Sequence, residues 1–385
     1  MASGDARGAT GVTRLVAIRV DASNRLGTGH VARCLTLADT LTRRGATVEF
    51  VCRTMTGDLH DHIEGRGYRV RRLPAGTGAA RSREERTPHA AWLETDWRTD
   101  AEQTVDALAS AGERPAWLVV DHYGLDARWQ RHLRPVVDRI LAIDDLADRP
   151  HAADVLLDQN YAITGNRYAA LVPESTRILV GPRFAVVDDA YRNVRAKLPP
   201  RTGRCTRWVL FFGGVDLQNE TAKVLTAIMT SRWRAMIIDV VVGAGNPHRD
   251  AIAGLVRVLP HATLHVQVPN LAPLFAAADL AIGAGGTTTW ERCCLGVPSV
   301  LVATADNQVP TLQSLSEHGY VAYLGTHERV TVDDYRRALA IAHDDGRLLD
   351  LARRCMALVD GRGAGRVADA MGFVEPMGSE AINHG

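Results

Sequence analysis

Short apolar runs alternate with segments of helical period along most of the chain, and the alternation comes in two series. LVAIRV, TVEFVC, YRVRRL, WLVVDH and RILAIDD read as strands in the first; WVLFFGG, MIIDVVVG, TLHVQV, LAIGAGG, SVLVAT and VAYLG in the second. In the first helical segment Val31, Cys34, Leu35, Ala38 and Leu41 share one face, and Gly45 supplies a C-cap. This pattern demands a mostly parallel sheet with helices on both faces. At 385 residues the chain is also longer than one hydrophobic core ordinarily serves. The polar, proline-containing stretch DDAYRNVRAKLPPRTGRCT, from Asp188 to Thr206, separates the two series as a linker. The expected fold is therefore α/β, with Rossmann-like domains over 14–190 and 204–372. Ligands of such sheets sit beyond the carboxyl ends of the strands, so two facing domains would hold one in the cleft between them. Two further helical patterns are expected near 332–357. The tail beyond Gly372 reads as irregular, and the charged segment from Ala75 to about Arg98 as a long loop, or a loop with a short helix.

Several function classes are excluded at this level. A net charge of +1 gives no broad attraction to nucleic acid or anionic lipid. Lysine occurs only at Lys197 and Lys223, neither in a G-x-x-x-x-G-K-[ST] setting, which removes the P-loop hydrolases. The six cysteines make no C-x-x-C pair and read as buried thiols. No H-E-x-x-H or G-x-S-x-G occurs, the first residues lack a signal-peptide core, and no run is long enough to span a bilayer. A cytoplasmic, monomeric protein is expected, with a small-molecule substrate and no nucleic-acid or membrane partner.

Glycine turns at strand ends carry the chemistry. GTGHVA, Gly27 to Ala32, matches the dinucleotide pattern G-x-G-x-x-[GA], and Glu49 stands about 20 residues on. Two features argue against a dinucleotide: five residues (Ala22 to Leu26) separate the strand from Gly27, and Glu49 lies inside a strand rather than at its end. His30 is then either a solvent-facing helix-start residue or a side chain delivered to a cleft. In AIGAGGTTTWERCCLGVP, Gly283, Gly285 and Gly286 precede Thr287, Thr288 and Thr289 at a helix start, a setting that favours anionic oxygens. Glu291, one turn in, can accept from a ribose diol, although the helix dipole alone also favours a glutamate there. FFGGVD, with Gly213, Gly214 and Asp216, and VVGAGNPHR are further turns in the same half. Together they suggest a nucleoside diphosphate held mainly by backbone groups.

The motifs DASNRLGTGHVARCLTLA, VVDHYGLD, DDLADRP, LLDQNY, GPRFA, FFGGVD, AGGTTTWERCCLGVP and ADNQ, in this order, resemble the pseudaminic acid pathway hydrolases. That family acts on UDP-2,4-diacetamido-2,4,6-trideoxy-β-L-altropyranose and releases UDP. The resemblance runs from about Leu15 to about Gly325 and implies a GT-B-like architecture, like that of the glycosyltransferase that builds the lipid-linked muropeptide. It implies that His30 is the general base, that Tyr123 lies near the sugar and that Asn307 contacts the substrate near the reacting centre. Glu291 would hold the ribose. On the substrate or UDP it places Gly27, Gly29, Arg183, Gly213, Gly214, Asp216, Gly285, Gly286, Thr287, Thr288 and Gln308. It does not cover the N-terminal extension, the Ala75–Arg98 insertion or the tail.

The activity implied is metal-independent hydrolysis of the C1–O bond with inversion and without a cofactor, backbone dipoles meeting the diphosphate charge. An imidazole can take a proton from water near neutral pH, and positive character would develop on the sugar as in glycoside hydrolysis. Two other classes share the nucleotide site. A GT-B glycosyltransferase would pass the sugar to an acceptor hydroxyl and need a groove for it, and a non-catalytic binder would keep Glu291 without needing His30.

Overall fold

The computed structural model describes residues 14–23, 25–76, 89–110, 112–161 and 166–375. The first sheet contains β1 (Arg14–Val20), β2 (Ala46–Arg53), β3 (Arg69–Leu73), β4 (Trp117–Asp121), β5 (Arg139–Ile143), β6 (Val155–Asp158) and β7 (Arg177–Val180). Their order is β3-β2-β1-β4-β5-β6-β7, with every pair parallel. Helices α1 (Gly29–Arg43), α2 (His60–Gly65), α3 (Trp97–Ala109) and α4 (Ala127–Leu133) connect them. After α5 (Asp189–Arg195) comes a second parallel sheet. It holds β8 (Arg207–Phe211), β9 (Ile237–Val242), β10 (Ala262–Val266), β11 (Leu280–Ala284), β12 (Ser299–Ala303) and β13 (Ala322–Thr326), in the order β10-β9-β8-β11-β12-β13. Its helices are α6 (Glu220–Met229), α7 (Arg249–Arg257), α8 (Ala272–Ala277), α9 (Thr288–Cys294), α10 (Val309–Glu317), α11 (Val332–Ala338) and α12 (Asp345–Leu358).

The central strands β4, β11 and β12 are buried along their whole length. That is why they read as continuous apolar runs and not as an in–out alternation. In both sheets the direction of winding reverses at the first strand, between β1 and β4 and between β8 and β11. A crevice opens at each reversal, and the turns that follow β1, β4, β8 and β11 all reach it.

Three features depart from the sequence expectation. β6 and β7 are VLLD and RILV, runs of only four residues that periodicity does not separate from loop. The expected linker contains α5, started by the Asp188 carboxylate accepting the Ala190 N–H at 2.7 Å. The last helix, α13 (Gly363–Ala370), leaves the second sheet. Ala364, Val367, Ala368, Met371 and Phe373 join the core of the first, with Val31, Leu35 and Leu41 of α1. Arg44 latches it there through the carbonyls of Gly365 and Phe373 and the carboxylate of Asp369. Chain order assigns these residues to the second domain, whereas packing assigns them to the first.

Part of the Ala75–Arg98 insertion, 77–88, lies outside the described residues; the rest includes a 3₁₀ turn, Ala90–Leu93, leading into α3. All six cysteines are free thiols, five of them buried. Among the described residues no helix is long and apolar enough to cross a membrane.

Candidate active site

A cleft of about 580 Å³ lies between the carboxyl edges of the two sheets, lined by residues of both. On the first-sheet side the sequence puts a carboxylate, Asp121, at the end of β4 and a histidine, His30, in the first turn of α1. Because β1 pairs with β4, the two meet. His30 Nδ1 lies 2.6 Å from Asp121 Oδ1, and among the described residues no hydrogen bond engages its Nε2. Arg33, one helical turn further and on the same face, clamps Asp121 with two bonds, Nε to Oδ2 at 2.6 Å and Nη2 to Oδ1 at 2.7 Å. Its Nη1 reaches Asp145 Oδ2 at 2.7 Å.

Asp121 is fully buried. Burial alone would raise its pKa, but the Arg33 guanidinium and then His30 outweigh that and hold it well below the carboxylate range. An ionised, immobile acceptor on Nδ1 fixes the tautomer of His30, with the proton on Nδ1 and the lone pair on Nε2.

Tyr123 follows two residues later. It stacks edge-on against His30, centroids 4.6 Å apart, and its hydroxyl donates to Asp145 Oδ2 at 2.7 Å. The Tyr123 hydroxyl oxygen also accepts from Asn307 Nδ2 at 3.1 Å, a bond that spans the two sheets. Burial, then the Asp145 carboxylate, push the Tyr123 pKa far up, so it is a neutral hydroxyl. His122 between them takes no part: its Nδ1 accepts the Gly124 N–H at 2.9 Å, and burial lowers its pKa to about 4. Trp92, from the insertion, completes this wall beside Tyr123 and His89, with ring centroids 5.8 and 4.6 Å away.

On the second-sheet side Gly213 and Gly214 after β8, and Gly285 to Thr288 after β11, line the cleft. The first bonds of the latter turn run from Thr289 N–H to Gly286 O and from Trp290 N–H to Thr287 O. The amides before them lie outside the helical ladder. The glycines divide by purpose. A Cβ at Gly283 or Gly285 would collide with the Phe211 carbonyl or the Leu312 side chain, so those two serve packing. Gly213, at φ +93°, has open space, and a Cβ on Gly286 would meet only Gln308 Nε2, at 3.9 Å. Across the cleft, the Thr287 side chain comes within 3.8 Å of where a Cβ on Gly29 would stand, so the turns holding Gly27 and Gly29 face those of the second sheet.

Glu291 accepts from the Tyr191 hydroxyl of α5 at 2.8 Å. Desolvation raises its pKa to about 7, against the opposing pull of Tyr191 and Arg292. Gln308 lines the cleft while its Oε1 accepts the Thr304 N–H at 2.9 Å.

Two expected ligand residues have other roles. The Asp216 carboxylate accepts the Glu220 and Thr221 N–H groups, each at 3.0 Å, and so caps α6 and shapes the FFGGVD turn. Arg183, expected on the substrate, is not brought to the cleft. It is exposed on a 3₁₀ turn, with its guanidinium over the Phe184 ring and its carbonyl bonded by Arg366. Glu49, the acid of the dinucleotide pattern, is buried in β2 and paired with Arg71 at 2.7 Å. Asp121, Arg33, Asp145, Trp92 and Tyr191 were not singled out from the sequence. The first three stand in the quoted motifs and Trp92 in the insertion, but only the fold shows what they touch.

No protein-family model matches the chain. A spore coat polysaccharide biosynthesis protein of Bacillus subtilis, SpsG, is 28% identical over 206 residues, which are 52% of this chain and 60% of that protein. The UDP-2,4-diacetamido-2,4,6-trideoxy-β-L-altropyranose hydrolase of Campylobacter jejuni is 21% identical over 307 residues, covering 79% of this chain and 97% of that one. Among solved structures, Phytolacca americana UGT2 in complex with UDP-2-fluoroglucose and pterostilbene superimposes with a TM-score of 0.66. It is 14% identical, over 94% of this chain and 99% of that one. The chain thus has the GT-B fold, two Rossmann-like domains about a cleft, and along 79% of its length it resembles the UDP-2,4-diacetamido-2,4,6-trideoxy-β-L-altropyranose hydrolase.

Proposed function

We propose that this chain hydrolyses a UDP-linked sugar of the 2,4-diacetamido-2,4,6-trideoxy-hexose class at the C1–O bond. The observation that carries the reading is the His30–Asp121 pair. Its free Nε2 stands in a cleft whose opposite wall carries the Gly213–Gly214 and Gly285–Thr288 turns and Glu291. The Campylobacter jejuni hydrolase is named for a UDP-sugar and Phytolacca americana UGT2 is solved with one, which fits that wall.

In this reading the second domain binds UDP. Open amides of the glycine turns meet the diphosphate, the Thr287 and Thr288 hydroxyls add donors, and Glu291 accepts from the ribose. The sugar then projects toward His30, Tyr123 and Asn307. Water attacks C1 from the face opposite the diphosphate. The C1–O bond breaks and its electron pair leaves on the UDP oxygen, while His30 Nε2 takes the proton from the water. Asp121 stabilises the imidazolium that forms, as a carboxylate behind a catalytic histidine does. Attack opposite the leaving group inverts C1. Tyr123, neutral and held by Asp145, hydrogen-bonds and does not transfer a proton.

The test is incubation with a panel of UDP-sugars while free UDP is followed without any acceptor. Release at the same rate with and without added acceptor supports hydrolysis. Release only when an acceptor hydroxyl is present would make the protein a glycosyltransferase.

A further inference from the structure

Arg292 follows Glu291 on α9 and is 1% exposed. Among the described residues it has no carboxylate partner. Nη2 donates to the Ala284 carbonyl at 2.6 Å and approaches Thr289 Oγ1 at 3.2 Å, and the guanidinium stands 6.0 Å from the Phe275 ring, while among the described residues Nε and Nη1 have no hydrogen-bond partner. Nη1 lies 2.9 Å from where a Cβ on Gly283 would be. The guanidinium therefore sits directly beneath the peptides of the Gly283–Gly286 turn. The neighbouring carboxylate, Glu291, is engaged by Tyr191.

A buried cation without a counter-ion is costly, and removing such a charge is often neutral or stabilising. Among the described residues the other fully buried arginines, Arg19, Arg53 and Arg149, all of the first sheet's domain, are each paired to an aspartate. Arg292 is the exception, and it lies under the turn that faces the ligand. Burial lowers its pKa only to about 10, so it stays charged at neutral pH. Leu312 packs against Gly285 and the strands around the turn are buried, so little water lies between to screen the charge.

We propose that Arg292 is a built-in counter-charge for the nucleotide diphosphate, acting through the glycine turn without touching the ligand. The inference rests on the reading of this cleft as a UDP site. It makes Arg292 a positioning residue: the missing counter-ion is the ligand itself, and as UDP leaves, the developing negative charge meets a fixed positive one.

Calorimetric titration of uridine, UMP and UDP into wild type, Arg292→Met and Arg292→Lys tests it. Arg292→Met should leave uridine affinity unchanged, weaken UMP less than UDP, and weaken UDP by about tenfold or more. Its ligand-free Tm should equal or exceed wild type, while the rise on adding UDP shrinks. Arg292→Lys should keep most UDP affinity at pH 7 and lose it at a lower pH than wild type as pH rises, since a buried lysine gives up its proton before a buried arginine does. This pH arm holds even where Arg292→Met does not fold. Equal weakening of uridine and UDP, or unchanged UDP affinity, overturns the inference alone. Wild type that binds no UDP overturns it together with the nucleotide reading.

Discussion

The side-chain amide of Asn307, on the second domain, donates to the hydroxyl of Tyr123, on the first, at 3.1 Å. The same hydroxyl donates to Asp145, which Arg33 ties to Asp121 and so to His30. Domain contact and the orientation of His30 are thus parts of one hydrogen-bonded chain. A ligand that draws the domains together acts on both.

Coupling between these two residues is the first expectation. Tyr123→Phe and Asn307→Ala should each lower kcat with little change in UDP affinity, because the proposed function sets both residues beside the sugar. Combined, they should lose less than the sum of the single effects, with a coupling of about 0.5–3 kcal/mol in kcat/KM. Strict additivity would show that the bond does not matter to turnover.

Asp121→Asn should leave the fold recognisable by circular dichroism but lower kcat by roughly 10²–10⁴, since the amide presents either a donor or an acceptor to Nδ1 and no negative charge. A stability change goes with it. The folded-state pKa of Asp121 is depressed, so its contribution is present above the unfolded value of about 4 and is lost as pH falls below it. Denaturant midpoints of wild type should therefore drop more steeply than those of the variant below about pH 4. Parallel curves would contradict the pairing.

Glu291 has the opposite sign. Its pKa is raised to about 7, so it favours folding at low pH and loses that contribution as pH rises toward 7. Without ligand, Glu291→Gln should match wild type near pH 4 and exceed its stability near pH 8. A ribose diol bonds best to the ionised carboxylate, so UDP binding near pH 6 should release a proton. Titrations in buffers of different ionisation enthalpy would detect it, and the release should vanish in Glu291→Gln. Glu291→Ala should cost UDP affinity by roughly 1–3 kcal/mol. A proton release that persists in Glu291→Gln assigns it to another group.

Much of this architecture is legible in the sequence because buried parallel strands announce themselves as apolar runs such as WLVVD and LAIGA. The four-residue β6 and β7 are too short to do so, and α13 carries no mark that it returns to the first core. In the site, His30 stands out because a glycine turn after a strand delivers it to a cleft, and Tyr123 only through the resemblance carried by VVDHYGLD. The carboxylate behind His30 does not, since Asp121 is 91 positions away and meets it only through the pairing of β1 with β4. Arg183 shows the converse: its motif is at a strand end, yet its 3₁₀ turn directs it out to solvent, over Phe184.

Hydrolysis in ¹⁸O-water, with wild type and His30→Asn side by side, tests the central claim most directly. Label should appear on the C1 hydroxyl of the released sugar and none in UDP. The rate in His30→Asn should be lower by about 10²–10⁴, with UDP affinity nearly unchanged because the proposed function sets His30 on the sugar side. Label in UDP, or normal turnover by His30→Asn, would contradict attack of water on C1 under the control of His30.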